Sequence, residues 1–381
     1  MFWKYVLFES KLLIRNRKLW FLGLIIILFF PIYFLYYSQS DPESLEDQKK
    51  YEAGIISSIF NQFPEDQRDT SEGNEVYDLI SEQSSLVNMQ VYYLSQGKNT
   101  EAYIESGLRV NELRLEVHEL GNKGIPDHLV MPKEEILKED ALLTYIQKHD
   151  IPLQPDTIVA SNYLIVALNT FSGILFFIYV LISGSEILLY EQRHRTVVNG
   201  FPLSFNTKIH SKIMIHFLHT IIFLLIGLLV GGLYAAKEAG FGDFTYPVLI
   251  YQNGSYEAIS TLSYLLHTLL AIAVITLMAL YLSILLNMIF NNAYANVLIG
   301  LGIFLIPHLL VNIRVDSQLF HPLTYIDFAN VLSGDLSVKL ENAQIDYWHA
   351  IFWLVILILL ILTIITVVNR FIYFKRKEAN E

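Results

Sequence analysis

Residues 159–185 read VASNYLIVALNTFSGILFFIYVLISGS, and residues 213–235 read IMIHFLHTIIFLLIGLLVGGLYA. Neither run holds an Asp, Glu, Lys or Arg. Each is longer than the roughly 20 apolar residues that a helix needs to cross a hydrocarbon core about 30 Å thick. Between them, residues 186–212 read EILLYEQRHRTVVNGFPLSFNTKIHSK, with two carboxylates, four Lys or Arg and a proline. This alternation decides the fold class. Backbone groups in lipid must be satisfied inside their own segment, so the apolar runs are helices and the charged stretch is a loop in water.

Working outward, the same signature recurs. Runs at 19–37, 159–185, 213–235, 260–286, 293–312 and 348–373 are long and apolar, in a chain that is 53% hydrophobic. They predict an all-α polytopic membrane protein with six transmembrane helices, TM1 to TM6. The short alternating segments of a transmembrane barrel are absent. The first run lacks a convincing small-x-small cleavage site in YYSQSDPE, so it reads as an anchor. In the fifth run Pro307, followed by His308 and Asn312, predicts a kink or an incomplete crossing.

Basic residues set the orientation. Lys4, Lys11, Arg15, Arg17 and Lys18 precede TM1, the 186–212 loop holds four more, and Arg370, Lys375, Arg376 and Lys377 close the chain. With six spans these regions share one side, which predicts a multi-pass protein of the cell (plasma) membrane with both termini cytoplasmic and a short tail at 378–381. The opposite side then holds residues 38–158, with 24 Asp or Glu against 10 Lys or Arg, a net charge of −14 in a chain of −11 overall. This acidic extracellular domain is patterned as helices: TEAYIESGLRVNELRLEVHEL and KEEILKEDALLTYIQKHD carry apolar residues at three- and four-residue spacing. The chain has no cysteine, so no disulfide staples it. A second outer segment is expected at 313–347.

Residues 1–18 form their own pattern. On a helical wheel Lys4, Lys11, Arg15 and Lys18 fall within about 60° of one another, and Phe2, Trp3, Val6, Leu7, Leu13 and Ile14 fill much of the rest. That describes an amphipathic helix on the cytoplasmic face of the membrane. Glu9 and Arg17 interrupt it.

Catalytic signatures are missing. The chain has no G-x-x-x-x-G-K-[ST] to cradle phosphates, no H-E-x-x-H, no G-x-S-x-G and no thiol nucleophile. No catalytic, cofactor or metal site is therefore expected, and His216 and His219, three residues apart, lack a third ligand nearby. Polar residues within or near the spans are few: Asn169, Ser172, Glu186, His219, His267, Pro307 and His308 are candidates for a pathway lining or for interhelical bonds. No Asp, Lys or Arg sits mid-span, which argues against ion-driven transport.

The charged loop carries the sharpest signal. A short helix ending near Gly200, a turn at Pro202 and a cap from Ser204, Asn206 or Thr207 would lay a small amphipathic element across the membrane face. Glu191, Arg193, Arg195, Thr196, Val197, Val198, Phe201, Pro202, Leu203, Ser204 and Lys212 make up this stretch. Here the chain resembles the permease subunit of ABC transporters of the ABC-2 exporter type. In that family the first cytoplasmic loop runs Glu, a basic residue, Gly-Thr, a few apolar residues, Pro-apolar-Ser, and a Lys opening the third span. Arg195 stands where the family often has Gly. LYLSILLNMIFNNAYANVLIGL and HPLTYIDFANVLSGD are similar to the family's turn between spans four and five and its outer segment before the last span. The resemblance covers about residues 1–37 and 159–377 and leaves the acidic domain unexplained.

The resemblance implies a non-catalytic membrane subunit that moves an amphipathic peptide, lipid or hydrophobic drug outward. ATP and Mg would be bound by a separate ATPase subunit, present in two copies and docked on 191–212, the coupling helix. A second permease chain, identical or homologous, and membrane lipids would be its other partners, with no nucleic acid. Two other classes stay open: a membrane-anchored receptor whose outer domain binds a ligand, and, less favoured, a secondary transporter.

Overall fold

The structure is a computed structural model. It describes residues 2–40, 42–97, 99–154, 157–189, 191, 200–312 and 320–378, with backbone alone at 308, 311–312 and 372–378. Arg193, Arg195, Thr196, Val197 and Val198 lie outside the described residues, as do most of the tail and the first part of the 313–347 segment.

The chain is mostly helical. Helix α1 (Phe2–Arg15) gives way at Asn16 to α2 (Arg17–Gln39). Asn16 makes the junction: its side chain accepts from the Lys18 N–H at 3.0 Å, which satisfies one of the free amides at the start of α2. The Trp20 indole donates back to the Ile14 carbonyl at 2.7 Å. The expected amphipathic segment 1–18 is thus a separate helix.

The acidic segment follows as α3 (Leu45–Gln62), α4 (Glu65–Arg68), α5 (Ser71–Gln96), α6 (Thr100–Glu119) and α7 (Lys133–His149). Ser44 and Asp47 form a reciprocal capping box on α3, and Thr70 caps α5. Two small apolar clusters hold these helices together. One is built on Ile56, Ile59, Val76, Ile80, Val87, Val110 and Val117. The other is built on Tyr103, Ile104, Leu143, Ile146 and Ile151.

The run at 159–185, expected to be one span, is two helices: α8 (Ala160–Phe171) and α9 (Ile174–Gly184), bent by 60°. The break is local chemistry. Gly173 sits at φ 77°, ψ −137°, a conformation open to glycine and strained for any other residue. Ser172 turns its hydroxyl back to the Asn169 carbonyl at 2.9 Å.

Beyond the loop, α10 (Phe205–Ala239) starts two turns earlier than the apolar run, because the Ser204 side chain accepts from the Thr207 N–H and caps it there. The reading of an all-α chain needs correction next. Residues 247–260 form an antiparallel hairpin, β1 (Pro247–Gln252) and β2 (Ser255–Ser260), paired from Pro247 with Ser260 to Gln252 with Ser255. Asn253 and Gly254 close it, both at positive φ, as a two-residue turn of this hand requires. Then come α11 (Thr261–Phe290), α12 (Ala293–Asn312), the short α13 (His321–Thr324), α14 (Phe328–Leu332) and α15 (Asp335–Lys339), and the long α16 (Tyr347–Glu378).

Among the described residues four helices are long and apolar enough to cross a membrane: α2, α10, α11 and the Tyr347–Phe371 part of α16. The bent α8–α9 pair would make a fifth if it counts as one span. The expected fifth span, 293–312, is helical with Pro307 inside it, but its apolar part, Ala293–Pro307, falls short of the length of the other four. The large core of the bundle packs around α11, with Ile272, Ile275, Met278, Ala279 and Leu280 buried.

The acidic helices rest on the hairpin. The Tyr256 hydroxyl donates to the Glu134 carboxylate of α7, and the Lys138 ammonium lies 4.5 Å above the Tyr256 ring. The two hydrogen-bonding groups draw Glu134 below the usual carboxylate range, Lys138 first and Tyr256 second. Gln154 adds a tie, accepting from the Asp243 N–H at 2.8 Å.

Candidate functional site

The end of the bundle where α1, α9 and the start of α10 meet gathers most of the sequence-predicted loop residues that the structure describes. Phe201 is half-buried between Tyr5 and Phe8 of α1, with ring centroids 5.2 Å from each and edge-on to Tyr5. Pro202 follows exposed and Leu203 half-buried, and Ser204 is spent on the α10 cap. Lys212 is turned inward. Its ammonium pairs with Glu9 at 2.7 Å, with side chains only 3% and 10% exposed. Phe201 and Lys212 thus contact α1 of their own chain.

Glu9 explains its own place in the amphipathic pattern. Helix α1 is not lying free on a surface: Tyr5, Val6 and Glu9 are buried against α10. A carboxylate on that face would be costly alone, and Lys212 compensates it. Glu191 stands nearby and is half-buried. Burial pushes its carboxyl above the usual range, against the pull of Lys212 and Lys208.

A cleft of about 300 Å³ opens beside this pair, between α1, α2, α9 and α10. Glu9, Arg15, Lys18, Glu186 and Lys212 supply its charges. Glu186, exposed, pairs with Lys18 at 3.3 Å, and Lys18 also donates to the Ser185 hydroxyl at 3.1 Å. The carboxylates and cations thus tie α2 to the end of α9 and α1 to α10.

Two asparagines that the sequence reading passed over complete the arrangement. Asn296 of α12 is fully buried and donates to the Ser185 carbonyl at 3.3 Å and the Ser283 carbonyl at 3.0 Å. Asn287 of α11, also fully buried, reaches the Gly184 carbonyl at 3.5 Å. They satisfy carbonyls freed where α9 ends, and so fasten α9 to both α11 and α12. An Asn inside an apolar run was the available signal for them.

The other polar candidates are scattered. Asn169 accepts from the Tyr264 hydroxyl at 3.0 Å and links α8 to α11. His219 is buried against the Phe223 ring, 4.5 Å between centroids, with no hydrogen-bond partner on either ring nitrogen among the described residues. His267 bonds the Ser263 carbonyl at 2.7 Å and stacks edge-on to Tyr347. Pro307 is buried in α12, and His308 is described only by its backbone. The described side chains among them make separate contacts. Among the described residues no group of three His, Asp or Glu could hold a metal ion.

No family model, curated protein or solved structure matches this chain.

Proposed function

We propose that this chain is the permease subunit of an ATP-driven exporter of the ABC-2 type. In this reading it crosses a plasma membrane six times, with both termini and the 186–212 loop in the cytoplasm and the acidic domain outside. It performs no chemistry itself. Two copies of a separate ATPase subunit hold ATP and Mg and dock on 191–212, and a second permease chain, identical or homologous, completes the pathway for an amphipathic substrate.

The observation that carries this reading is the joint at the loop end. Helix α1 is fixed to the base of α10 by the Glu9–Lys212 pair and by Phe201 between Tyr5 and Phe8. On the other side of the loop, Asn287 and Asn296 fasten the end of α9 to α11 and α12. A force applied between residues 191 and 204 would reach α10, α11 and α12 through buried polar contacts, which is what a non-catalytic subunit driven from outside the membrane needs. The scarcity of mid-span charge fits an energy source in another chain.

The test is a search for an ATP-binding subunit that co-purifies with this chain from its native membranes. Arg193→Glu with Arg195→Glu should abolish the complex and its substrate-stimulated ATPase activity while the chain still inserts. Crosslinked native membranes that yield no nucleotide-binding partner would remove the exporter reading. A membrane-anchored receptor would then take its place, favoured by the cavities inside the acidic helices.

A further inference from the structure

The α3–α7 unit buries two cations. Lys49 of α3 and Arg114 of α6 are 4% and 6% exposed. Lys49 pairs with Glu52 at 2.9 Å and with Glu139 of α7, and Arg114 pairs with Glu139 at 2.9 Å and with Glu52. The four side chains close a ring of two cations and two carboxylates. Burial drives Lys49 and Arg114 below their ordinary values, with Glu139 opposing it. Such rings are poor stabilisers: apolar residues of the same volume usually do as well or better.

Two cavities meet on this ring. One, of about 230 Å³, is walled by Ile55, Ile59, Ile80, Val117 and Leu129. The other, of about 280 Å³, is walled by Leu45, Tyr103, Leu143, Ile146 and Tyr246. Glu52, Met131 and Glu135 border both. An apolar pocket with a few convergent polar groups is the ordinary form of a small-molecule site. The charges decide which molecule. The ring is balanced, and Glu135, exposed at the shared rim, forms no ion pair or side-chain hydrogen bond within the described structure. One carboxylate is left over at the mouth, in a segment of net charge −14 that attracts cations at long range.

We propose that the α3–α7 unit binds an amphipathic organic cation, its apolar part in the isoleucine-walled cavity and its ammonium on Glu135. This site is independent of the exporter reading, because it needs no ATPase and no second chain.

The chain lacks cysteine, so one introduced thiol reports the site in the full-length protein purified in detergent. Leu129→Cys is alkylated with an iodoacetamide fluorophore at neutral pH, with octylamine as the probe and octanoate as its anionic match. Octylamine should slow labelling at least fivefold and octanoate should not. Glu135→Gln in the same background should cut the octylamine effect below twofold while leaving the unprotected rate unchanged. Ser81→Cys, on an exposed face of α5, should label at one rate throughout. A Leu-Lys dipeptide amide that protects as well as octylamine assigns the cation to a peptide, and protection by octylamine alone assigns it to a small amine. Equal protection by octanoate, protection that survives Glu135→Gln, or the same slowing at Ser81→Cys would overturn the proposal. If Leu129→Cys does not fold, deuterium uptake of residues 125–136 in the unaltered chain, with the same two probes, decides the question.

Discussion

Replacing Glu9 by Leu tests the joint between α1 and α10. The Glu9–Lys212 pair is 2.7 Å long and its side chains are 10% and 3% exposed, so water screens it little. Removing one member of a buried pair costs about 3–5 kcal/mol, most of it from the charge left behind. Lys212 keeps some compensation from Glu191, which places the expected loss at the lower end, about 3 kcal/mol. A loss of that size raises the population in which α1 has detached by roughly a hundredfold. Hydrogen exchange of residues 2–15, read by mass spectrometry on the purified chain, measures that opening. Glu9→Leu should speed exchange of this peptide about a hundredfold and leave α11 unchanged. The double variant Glu9→Leu with Lys212→Met removes both charges and should recover most of the protection. If Glu9→Leu exchanged like the parent, or if the double variant exchanged faster than either single one, the pair would not be what holds α1.

Three further outcomes are expected. Gly173→Ala places a side chain at φ 77° and against Asp327, 3.3 Å from the new methyl group; the strain, on the order of 1–3 kcal/mol, should lower the thermal midpoint of the chain in detergent, whereas Gly302→Ala, with open space around it, should not. Burial raises the Glu139 carboxyl, but Lys49 and Arg114 outweigh it and hold the group below its ordinary value of 4.5. A carboxylate lowered by folding stabilises the fold above its unfolded value and loses that contribution as pH falls through the folded one, so pepsin should nick residues 133–149 increasingly below that value, and Glu139→Gln should lack this pH step. For the orientation, Ser71→Cys and Thr100→Cys should react with an impermeant maleimide on intact cells, and Asn199→Cys and Ala379→Cys only after permeabilisation; labelling of Asn199→Cys in intact cells would end the six-span reading.

Much of the fold was legible because its causes are local. A run without charges determines a helix that lipid can surround, and α2, α10, α11 and α16 lie where their runs are. The Ser204 cap and the helical spacing of the acidic segment are equally local. The hairpin carried a local signal too, which the sequence reading did not use: Asn253-Gly254 between VLIY and SYEAI is a two-residue turn signal.

What the tertiary structure decided is which distant groups meet. From the sequence, Glu9 is an interruption of an amphipathic pattern and Lys212 a loop cation; only the seating of α1 on α10 makes them one pair, 203 residues apart in the chain. The break at Gly173 was hidden because hydropathy averages over a run, while a bend depends on one backbone angle and on what packs beside it. The ring of Lys49, Glu52, Arg114 and Glu139 draws on three helices, and each member reads alone as an ordinary surface charge. Hydropathy and capping follow from a residue and its near neighbours, but the pairing of buried charges depends on the register of one helix against another, and that register exists only once the chain is packed.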